Sequence, residues 1–142
     1  MRTAIGAALD AREAGEFPYG AVVVSPSGIV IGRAHDRVEA DSDLTSHAEI
    51  LAVRNAVERH GRSLRGCTLV STVEPCAMCF SAAWTAEVTR LVYGLSMREL
   101  LESQPEAMDE ISIDAIELNE RTHRKLEVTS GVLRDECIAL WT

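Results

Sequence analysis

The chain has 142 residues, of which 46% are hydrophobic and 25% are charged, a composition typical of a globular domain and not of a disordered segment. The formal net charge is −8 with Lys125 as the single lysine, so non-specific attraction to nucleic-acid phosphates is not expected. No apolar run approaches the ~20 residues of a membrane span, and residues 1–17 lack the apolar core of a signal peptide. We therefore expect one domain, 1–142, in the cytoplasm and without a membrane partner.

Helical and strand patterns alternate along the chain in the order αββαβαβαβα. The predicted helices span 2–14, 47–61, 76–87, 96–109 and 132–141, and the predicted strands lie in a hairpin at 19–34 and at 67–73, 89–94 and 125–131. The segment 36–46 is polar and is predicted to be irregular. Strands separated by helices indicate parallel neighbours, and the hairpin adds one antiparallel strand. The predicted fold is α/β, a mixed five-stranded sheet with helices on both faces.

Two short motifs each open a predicted helix, and one buried strand separates them. The first is H-A-E at 47–49, and the second is P-C-A-M-C at 75–79. Histidine and cysteine are preferred zinc ligands, and a catalytic zinc uses three protein ligands with a fourth position left open. The C-x-x-C spacing puts both sulfurs on one helical turn, where the helix N-terminus favours thiolates. The motifs therefore predict a zinc ion on His47, Cys76 and Cys79.

Each motif alone has a simpler interpretation. A lone C-x-x-C is found in redox pairs and in structural four-cysteine zinc sites, and a lone H-x-E is usually a surface pair on a helix. The chain has no second C-x-x-C, and a redox pair has no use for His47 or Glu49. The combination matches the signature of zinc nucleobase deaminases. A non-catalytic zinc-stabilised interaction module is a rival hypothesis, and it would not need Glu49.

The sequence resembles the cytidine/deoxycytidylate deaminase superfamily, on its branch of tRNA adenosine, guanine and cytosine deaminases. The two motifs carry the resemblance, together with "FPYGAVVV", "RLVYG" and "VTSGVLRDEC". The resemblance implies a three-layer α/β/α sandwich, zinc on the three predicted ligands, and a homodimer. It also implies that Glu49 moves protons between water and the substrate. The backbone at Ala48 and at Glu74 would contact the base.

The branch usually has an asparagine eleven residues before the zinc histidine, and this chain has Asp36 there. An ionised aspartate offers only acceptors, so a ring that presents N–H donors is expected if Asp36 contacts the substrate. Otherwise Asp36 is an acid in a solvated loop. Asp109 or Glu110 is a candidate for the acidic pair of guanine deaminases, or else part of an acidic surface helix. Trp84 either stacks on the base or fills the core.

These observations predict a hydrolytic deaminase of a small aminated ring, guanine-, cytosine- or triazine-like, that releases ammonia. The alternative within the family is adenosine in tRNA. The acidic charge and the acidic stretch 99–117 argue against a nucleic-acid partner.

Overall fold

The computed structural model describes residues 1–107 and 111–142. Its five strands are β1 (Gly20–Val24), β2 (Val30–His35), β3 (Thr68–Val73), β4 (Arg90–Leu95) and β5 (Glu127–Thr129). They form one sheet in the order β2-β1-β3-β4-β5. Strand β1 is antiparallel to both of its neighbours, whereas β3, β4 and β5 are parallel. The predicted mixed five-stranded sheet is confirmed.

Seven α-helices are present in the described residues. They are α1 (Arg2–Glu13), α2 (Val38–Asp41), α3 (Ala48–His60), α4 (Ala77–Thr85), α5 (Met97–Ser103), α6 (Ala115–Glu120) and α7 (Arg134–Ile138). Short 3₁₀ turns follow at Pro105–Ala107 and Ala139–Trp141. Two helices were not expected from the sequence: α2 lies in the segment predicted to be irregular, and α6 lies between the predicted helix 96–109 and the last strand.

The helices form two layers. On one face of the sheet, α1 packs with Val22 and Val70, and Cys137 of α7 lies against Gly94 of β4. On the other face, α3 and α4 pack with Ala21, Val23 and Leu69. This alternation along β1 is the period of two that places successive side chains on opposite faces of a strand. The three-layer α/β/α arrangement expected from the resemblance is therefore present.

Small residues let both long helices approach the sheet closely. The inner face of α1 consists of four fully buried alanines, and a Cβ on Gly20 of β1 would lie 2.1 Å from the carbonyl oxygen of Ala4. On the other face, a Cβ on Gly32 would lie 2.2 Å from the carbonyl oxygen of Ala52 in α3. Because no side chain fits between the backbones there, the helix positions are fixed closely with respect to the strands.

The path of the chain brings both motifs to one edge of the sheet. Helix α3 precedes β3, and α4 follows it, so the N-termini of the two helices meet beyond the carboxyl end of β3. Gly61, with φ 97°, ends α3 as predicted and starts the return to β3. Cys67 and Cys137 are fully buried in the core. In the described part of the chain, no helix is long and apolar enough to cross a membrane.

Candidate metal centre and active site

Three side chains from two helix starts converge beyond β3. His47 is the N-cap of α3, Cys76 is the N-cap of α4, and Cys79 lies one turn further along α4. The Nδ1 atom of His47 is 3.8 Å from Sγ of Cys76 and 3.5 Å from Sγ of Cys79. One ligand atom from each of the three residues lies within 4.8 Å of the others.

This spacing fits zinc. Ligands at zinc bond lengths and a tetrahedral angle put nitrogen and sulfur roughly 3.6 Å apart, and both observed separations agree with that value. The group has three donors, which leaves the fourth tetrahedral position for a small molecule. Hydrogen bonding with Cys76 and burial raise the pKa of the Cys79 thiol well above its usual value, so a metal must displace a proton there to bind.

Glu49 lies in the first turn of α3, two residues after His47, and is 5% exposed. The hydroxyl of Ser71 in β3 donates a hydrogen bond of 3.0 Å to its Oε1. Burial and the nearby Cys76 raise the pKa of Glu49. A buried carboxyl group with a raised pKa, positioned by hydrogen bonds beside three metal ligands, is suited to accept and return a proton.

A pocket of about 440 Å³ opens onto the metal site. Its lining includes the metal ligands His47 and Cys76, and five acids: Glu16, Asp36, Glu39, Glu49 and Glu74. Among its lining residues in the described part of the chain, none is a lysine or an arginine. The apolar part of the wall is formed by Phe17, Tyr19, Val38, Leu44, Val73, Met78 and Ala107.

Asp36 lies in this pocket and is 4% exposed, so the structure does not place it on a solvated loop. It follows β2 directly, and its carboxylate accepts a hydrogen bond from the backbone N–H of Val38. Burial raises the pKa of Asp36 to about 6. The structure therefore brings this predicted site residue together with His47 and Glu49.

Ala48 is fully buried between His47 and Glu49, as the first residue of α3. The first N–H groups of a helix have no intrahelical acceptor, so they can donate to a ligand at the helix start. Contact between the Ala48 backbone and a base stays a prediction.

Glu74 follows β3 and precedes the second motif, and its side chain has a task that the sequence did not indicate. Its Oε2 accepts a hydrogen bond of 3.0 Å from the N–H of Met97, and its Oε1 accepts one of 2.7 Å from the N–H of Ala115. These are the first residues of α5 and α6, so one buried carboxylate holds the starts of two helices beside the pocket.

Trp84 is not brought to this pocket. Its ring lies toward α6 and the loop before β5, where Nε1 donates to the carbonyl oxygen of Arg124 at 2.9 Å. The Arg124 guanidinium lies 4.9 Å from the ring centroid, and His123 makes an edge contact. Packing between α4 and this loop is the role that the structure assigns to Trp84, instead of stacking on a substrate at the metal site. The other two candidates, Asp109 and Glu110, lie outside the described residues.

Glu16 belongs to the pocket but was missed from the sequence. It is 8% exposed, and its two carboxylate oxygens accept hydrogen bonds from the N–H groups of Glu39 and Ala40 at 3.1 and 2.8 Å. Glu16 thus fixes the start of α2, just after Asp36. The partners are 23 and 24 residues away, so no local sequence signal marks the interaction.

Comparison with known proteins agrees with this geometry. The model of the cytidine and deoxycytidylate deaminase zinc-binding region matches residues 1–95. The chain belongs to this deaminase family. A probable cytosine deaminase of Schizosaccharomyces pombe is 32% identical over 140 residues, with 97% of this chain and 85% of that protein covered. A tRNA-specific adenosine deaminase of Bacillus subtilis is 36% identical over 138 residues, with 96% and 81% covered.

The chain also matches part of much longer proteins. It is 50% identical over 97 residues to a tRNA(Ile)-lysidine synthase of Deinococcus deserti, covering 68% of this chain but only 18% of that protein. A second such synthase, of Deinococcus radiodurans, is covered over 16% of its length.

Solved structures of deaminases share the fold of this chain. A structure from studies of A-to-I editing by tRNA:A34 deaminases matches with a TM-score of 0.83 and 32% identity, covering 99% of this chain and 96% of that one. A guanine deaminase from Nitrosomonas europaea matches with a TM-score of 0.83 and 27% identity, covering 96% and 78%. The zinc-binding region of the family and the His47, Cys76 and Cys79 group agree on Zn²⁺ as the metal.

Proposed function

We propose that this deaminase hydrolyses the exocyclic amino group of a small free ring, guanine-, cytosine- or triazine-like, and releases ammonia. The observation that carries the proposal is Asp36, a buried acceptor in the wall of the metal pocket. A carboxylate there is satisfied by N–H donors, and aminated rings present such donors along the edge that carries the reacting carbon. Burying the carboxylate against a ring without donors would leave its remaining acceptor sites, beyond the one that Val38 occupies, without a partner, at a cost of ~1–3 kcal/mol.

The charge of the pocket supports a substrate without phosphate. The lining holds five acids and, among the described residues, no lysine or arginine. A phosphate group brought into such a site is repelled, and the repulsion is stronger where water is excluded. A neutral ring with several N–H groups avoids this repulsion.

Different residues of the chain would bind the metal and transfer the protons. His47, Cys76 and Cys79 would hold zinc, which when bound makes a water molecule a nucleophile at neutral pH. Glu49 takes a proton from the attacking water and transfers it to a ring nitrogen as the water oxygen bonds to the ring carbon. It then moves the proton of the new hydroxyl group to the amino group, and the C–N bond breaks to release ammonia. The hydrogen bond from Ser71 to Oε1 positions the Glu49 carboxyl group for these transfers.

The second candidate is an adenosine deaminase acting on tRNA. The relatives favour it as strongly as the first, since the tRNA-specific adenosine deaminase of Bacillus subtilis is 36% identical and its match covers 96% of this chain. A net charge of −8 opposes it, because the electrostatic part of RNA binding would have to come from a local basic patch.

Release of ammonia from guanine, cytosine and a triazine, measured beside inosine formation in an anticodon stem-loop, tests the proposal. We expect at least one free ring to be converted with a kcat/KM well above that of the stem-loop. Faster conversion of the stem-loop than of every free ring would replace the proposal with the second candidate.

The variant Asp36→Asn tests the contact itself. The amide restores the group usual in this branch of the family at nearly equal volume, but it exchanges an acceptor for a donor. If Asp36 contacts the ring, the order of kcat/KM among guanine, cytosine and the triazine changes, by about 5- to 150-fold for the ring most dependent on it. An unchanged order would remove Asp36 from the substrate site.

Three broader expectations belong to the same proposal. Residues 1–142 form one deaminase domain, the domain associates as a homodimer, and it works in the cytoplasm. Their support is the family resemblance, and size-exclusion chromatography with light scattering measures the second directly.

A further inference from the structure

Two buried carboxylates share the start of helix α2. Asp36 accepts a hydrogen bond from the N–H of Val38, the first residue of the helix. Glu16 accepts hydrogen bonds from the next two N–H groups, that of Glu39 at 3.1 Å and that of Ala40 at 2.8 Å. The three N–H groups are consecutive in the chain, so one acid binds the first of them and the other acid binds the next two.

Helix α2 has no cap of its own. Its N-cap residue, Arg37, makes no side-chain capping hydrogen bond, and none of the four residues of the helix is buried. A helix this short is not stable by itself in water, and the N–H groups of its first turn need acceptors from outside the helix. Glu16 supplies such acceptors from 23 and 24 residues earlier in the chain. Glu16 is therefore a remote cap of α2.

The start of α2 is also linked to the metal site. The N–H of Arg37 donates to the carbonyl oxygen of Ser46 at 3.0 Å, directly before the predicted ligand His47. The carboxylate of Asp41 accepts from the Arg37 guanidinium at 2.8 Å and from the Ser46 hydroxyl at 3.0 Å. These contacts close the loop between β2 and α3, so a shift of α2 would move Asp36 with respect to His47.

The way in which the three N–H groups are shared decides how much of Asp36 is left for a substrate. A carboxylate has about four acceptor positions on its two oxygens, and Val38 occupies one of those of Asp36. An aspartate next to a helix start readily accepts from the second and third N–H groups of the helix. Because Glu16 already binds those donors, the rest of the Asp36 carboxylate can accept from a ring in the pocket.

We propose that Glu16 is a positioning residue for substrate recognition, which caps α2 in place of Asp36 and thereby keeps Asp36 available to the N–H groups of the substrate ring. The inference rests on the proposed function, because it concerns the same contact between Asp36 and the ring. Glu16 itself makes no contact with the substrate in this role. Without the Glu16 carboxylate, Asp36 turns toward the helix start, and the preference for the ring that depends most on Asp36 is lost.

A double-mutant cycle in the full chain tests this role. The four proteins are wild type, Glu16→Gln, Asp36→Asn and the double variant, and kcat/KM is measured on guanine, cytosine and a triazine. The glutamine amide keeps one acceptor but turns a donor toward the second N–H group of α2. The matched control is Glu13→Gln, since Glu13 is an exposed acid at the end of α1 and does not line the pocket. Zinc content and melting temperature are recorded for each variant.

We expect Glu16→Gln to lower kcat/KM by at least about fivefold for the ring that depends most on Asp36, and by less than about twofold in the Asp36→Asn background. Glu13→Gln should stay within about twofold of wild type. A loss of equal size in both backgrounds, or on all three rings, would show that Glu16 only supports the fold and would overturn the inference. Activity of Glu16→Gln within about twofold of wild type on every ring would overturn it as well.

Hydrogen exchange measured by NMR gives a readout that does not depend on activity. The N–H groups of Glu39 and Ala40 should exchange faster in Glu16→Gln than in wild type and in Glu13→Gln. Equal exchange in the three proteins would contradict the capping role. If Glu16→Gln does not fold, Glu16→Asp replaces it in both experiments, because aspartate keeps the charge but is one methylene too short to reach both N–H groups.

Failure of the proposed function gives a different result. If wild type converts only the anticodon stem-loop, the cycle is measured on that substrate, where coupling between Glu16 and Asp36 upholds the positioning role for a base in RNA. Additive losses on the stem-loop overturn it. If free rings are converted but Asp36→Asn changes none of the rates, the inference is overturned while the substrate class stands. A wild-type protein that holds zinc and converts neither class overturns both proposals.

Discussion

At the scale of single residues, the reaction centre depends on where two helices begin. His47 and Cys76 are N-caps, and Glu49 lies in the first turn of α3, so the first turns of both helices adjoin the metal site. Glu49 is buried, and burial and the nearby Cys76 raise its pKa, so its carboxyl group holds a proton more readily than that of a surface glutamate.

The variant Glu49→Gln separates proton transfer from binding. Glutamine fills the same space and still accepts the hydrogen bond from Ser71, so zinc content and melting temperature should match wild type. Because the amide cannot carry a proton, kcat should fall by about 10²- to 10⁴-fold. Ammonia release measures the loss of turnover, metal analysis measures the zinc content, and thermal unfolding measures the melting temperature. Turnover within about tenfold of wild type would exclude Glu49 as the proton carrier.

The sequence predicts the residues whose spacing along the chain encodes their chemistry. H-A-E and P-C-A-M-C each fix their ligands within one helical turn, so His47, Cys76 and Cys79 were found without a structure. Glu16 was missed, because the N–H groups that it binds come from a distant part of the chain. The surroundings of Trp84 could not be predicted for the same reason, because its ring packs against α6 and the loop before β5, which lie far away in the sequence.

At the scale of elements, Glu74 ties the metal motif to the helices that border the pocket. One carboxylate accepts from the first N–H of α5 and from the first N–H of α6, while its own backbone leads into Cys76. Shifts of α5 or α6 are therefore coupled to the start of α4. A buried acceptor of two backbone donors is costly to replace, since each donor left unsatisfied costs ~1–3 kcal/mol.

Glu74→Gln should therefore reduce the free energy of unfolding by about 1–3 kcal/mol. The amide oxygen still accepts one N–H, but the amide nitrogen meets the other as a second donor. Urea unfolding followed by circular dichroism measures the loss. The matched control is Glu102→Gln, an exposed acid on α5 that should change stability by less than about 0.5 kcal/mol. Equal midpoints for the two variants would contradict the anchoring role.

Helix α5 begins with a capping box that makes its stability depend on pH. The Ser96 hydroxyl accepts from the N–H of Glu99, and Glu99 Oε2 accepts from the Ser96 N–H and hydroxyl. Arg134 of α7 donates to Glu99 Oε1 at 2.5 Å. The hydrogen bonds from Ser96, followed by the one from Arg134, lower the pKa of Glu99 from 4.5 to about 2.

A lowered folded-state pKa means that the ionised form contributes stability above pH 4.5, and that this contribution is lost as pH falls toward 2. The stability difference between wild type and Glu99→Gln should therefore be constant near neutral pH and shrink between those two values. Chemical unfolding at a series of pH values measures it. A difference that does not vary across the window would show that Glu99 does not act through its charge.

The elements that the sequence missed are the short ones. Helices α2 and α6 have four and six residues, too few for an apolar period to appear. For α6 a start signal was present, because the Asp114 side chain accepts from the N–H of Glu117. For α2 the deciding contact is Glu16, which only the folded chain brings to it.

At the scale of the whole molecule, the order of elements predicted the sheet, because parallel strands need crossovers and the hairpin admits one reversed strand. The sequence pattern and the fold determine the substrate less closely than they determine the sheet. Relatives described as cytosine deaminase and as tRNA-specific adenosine deaminase both match nearly the whole chain, so family membership does not fix the substrate, and we expect specificity to rest on the pocket wall.

Zinc would link the starts of α3 and α4, which are otherwise connected through their packing on the sheet. His47 and the two cysteines are 29 and 32 residues apart, on two helices separated by β3. A metal that binds the folded protein more tightly than the unfolded chain raises the free energy of unfolding by mass action, by about 2.7 kcal/mol at a hundredfold excess over Kd.

Removal of zinc should therefore lower the melting temperature of the whole domain, by roughly 10 °C or more for a chain of this size. Purified protein should contain about one zinc per chain, and a chelator should remove it together with this stability. Cys79→Ala, which lacks one ligand, should bind zinc weakly and melt at the same temperature with and without chelator. Glu49→Gln keeps all three ligands and should respond as wild type does. If the wild-type melting temperature stays unchanged after metal analysis shows the zinc to be gone, then His47, Cys76 and Cys79 are already held by the fold, and the metal serves chemistry alone.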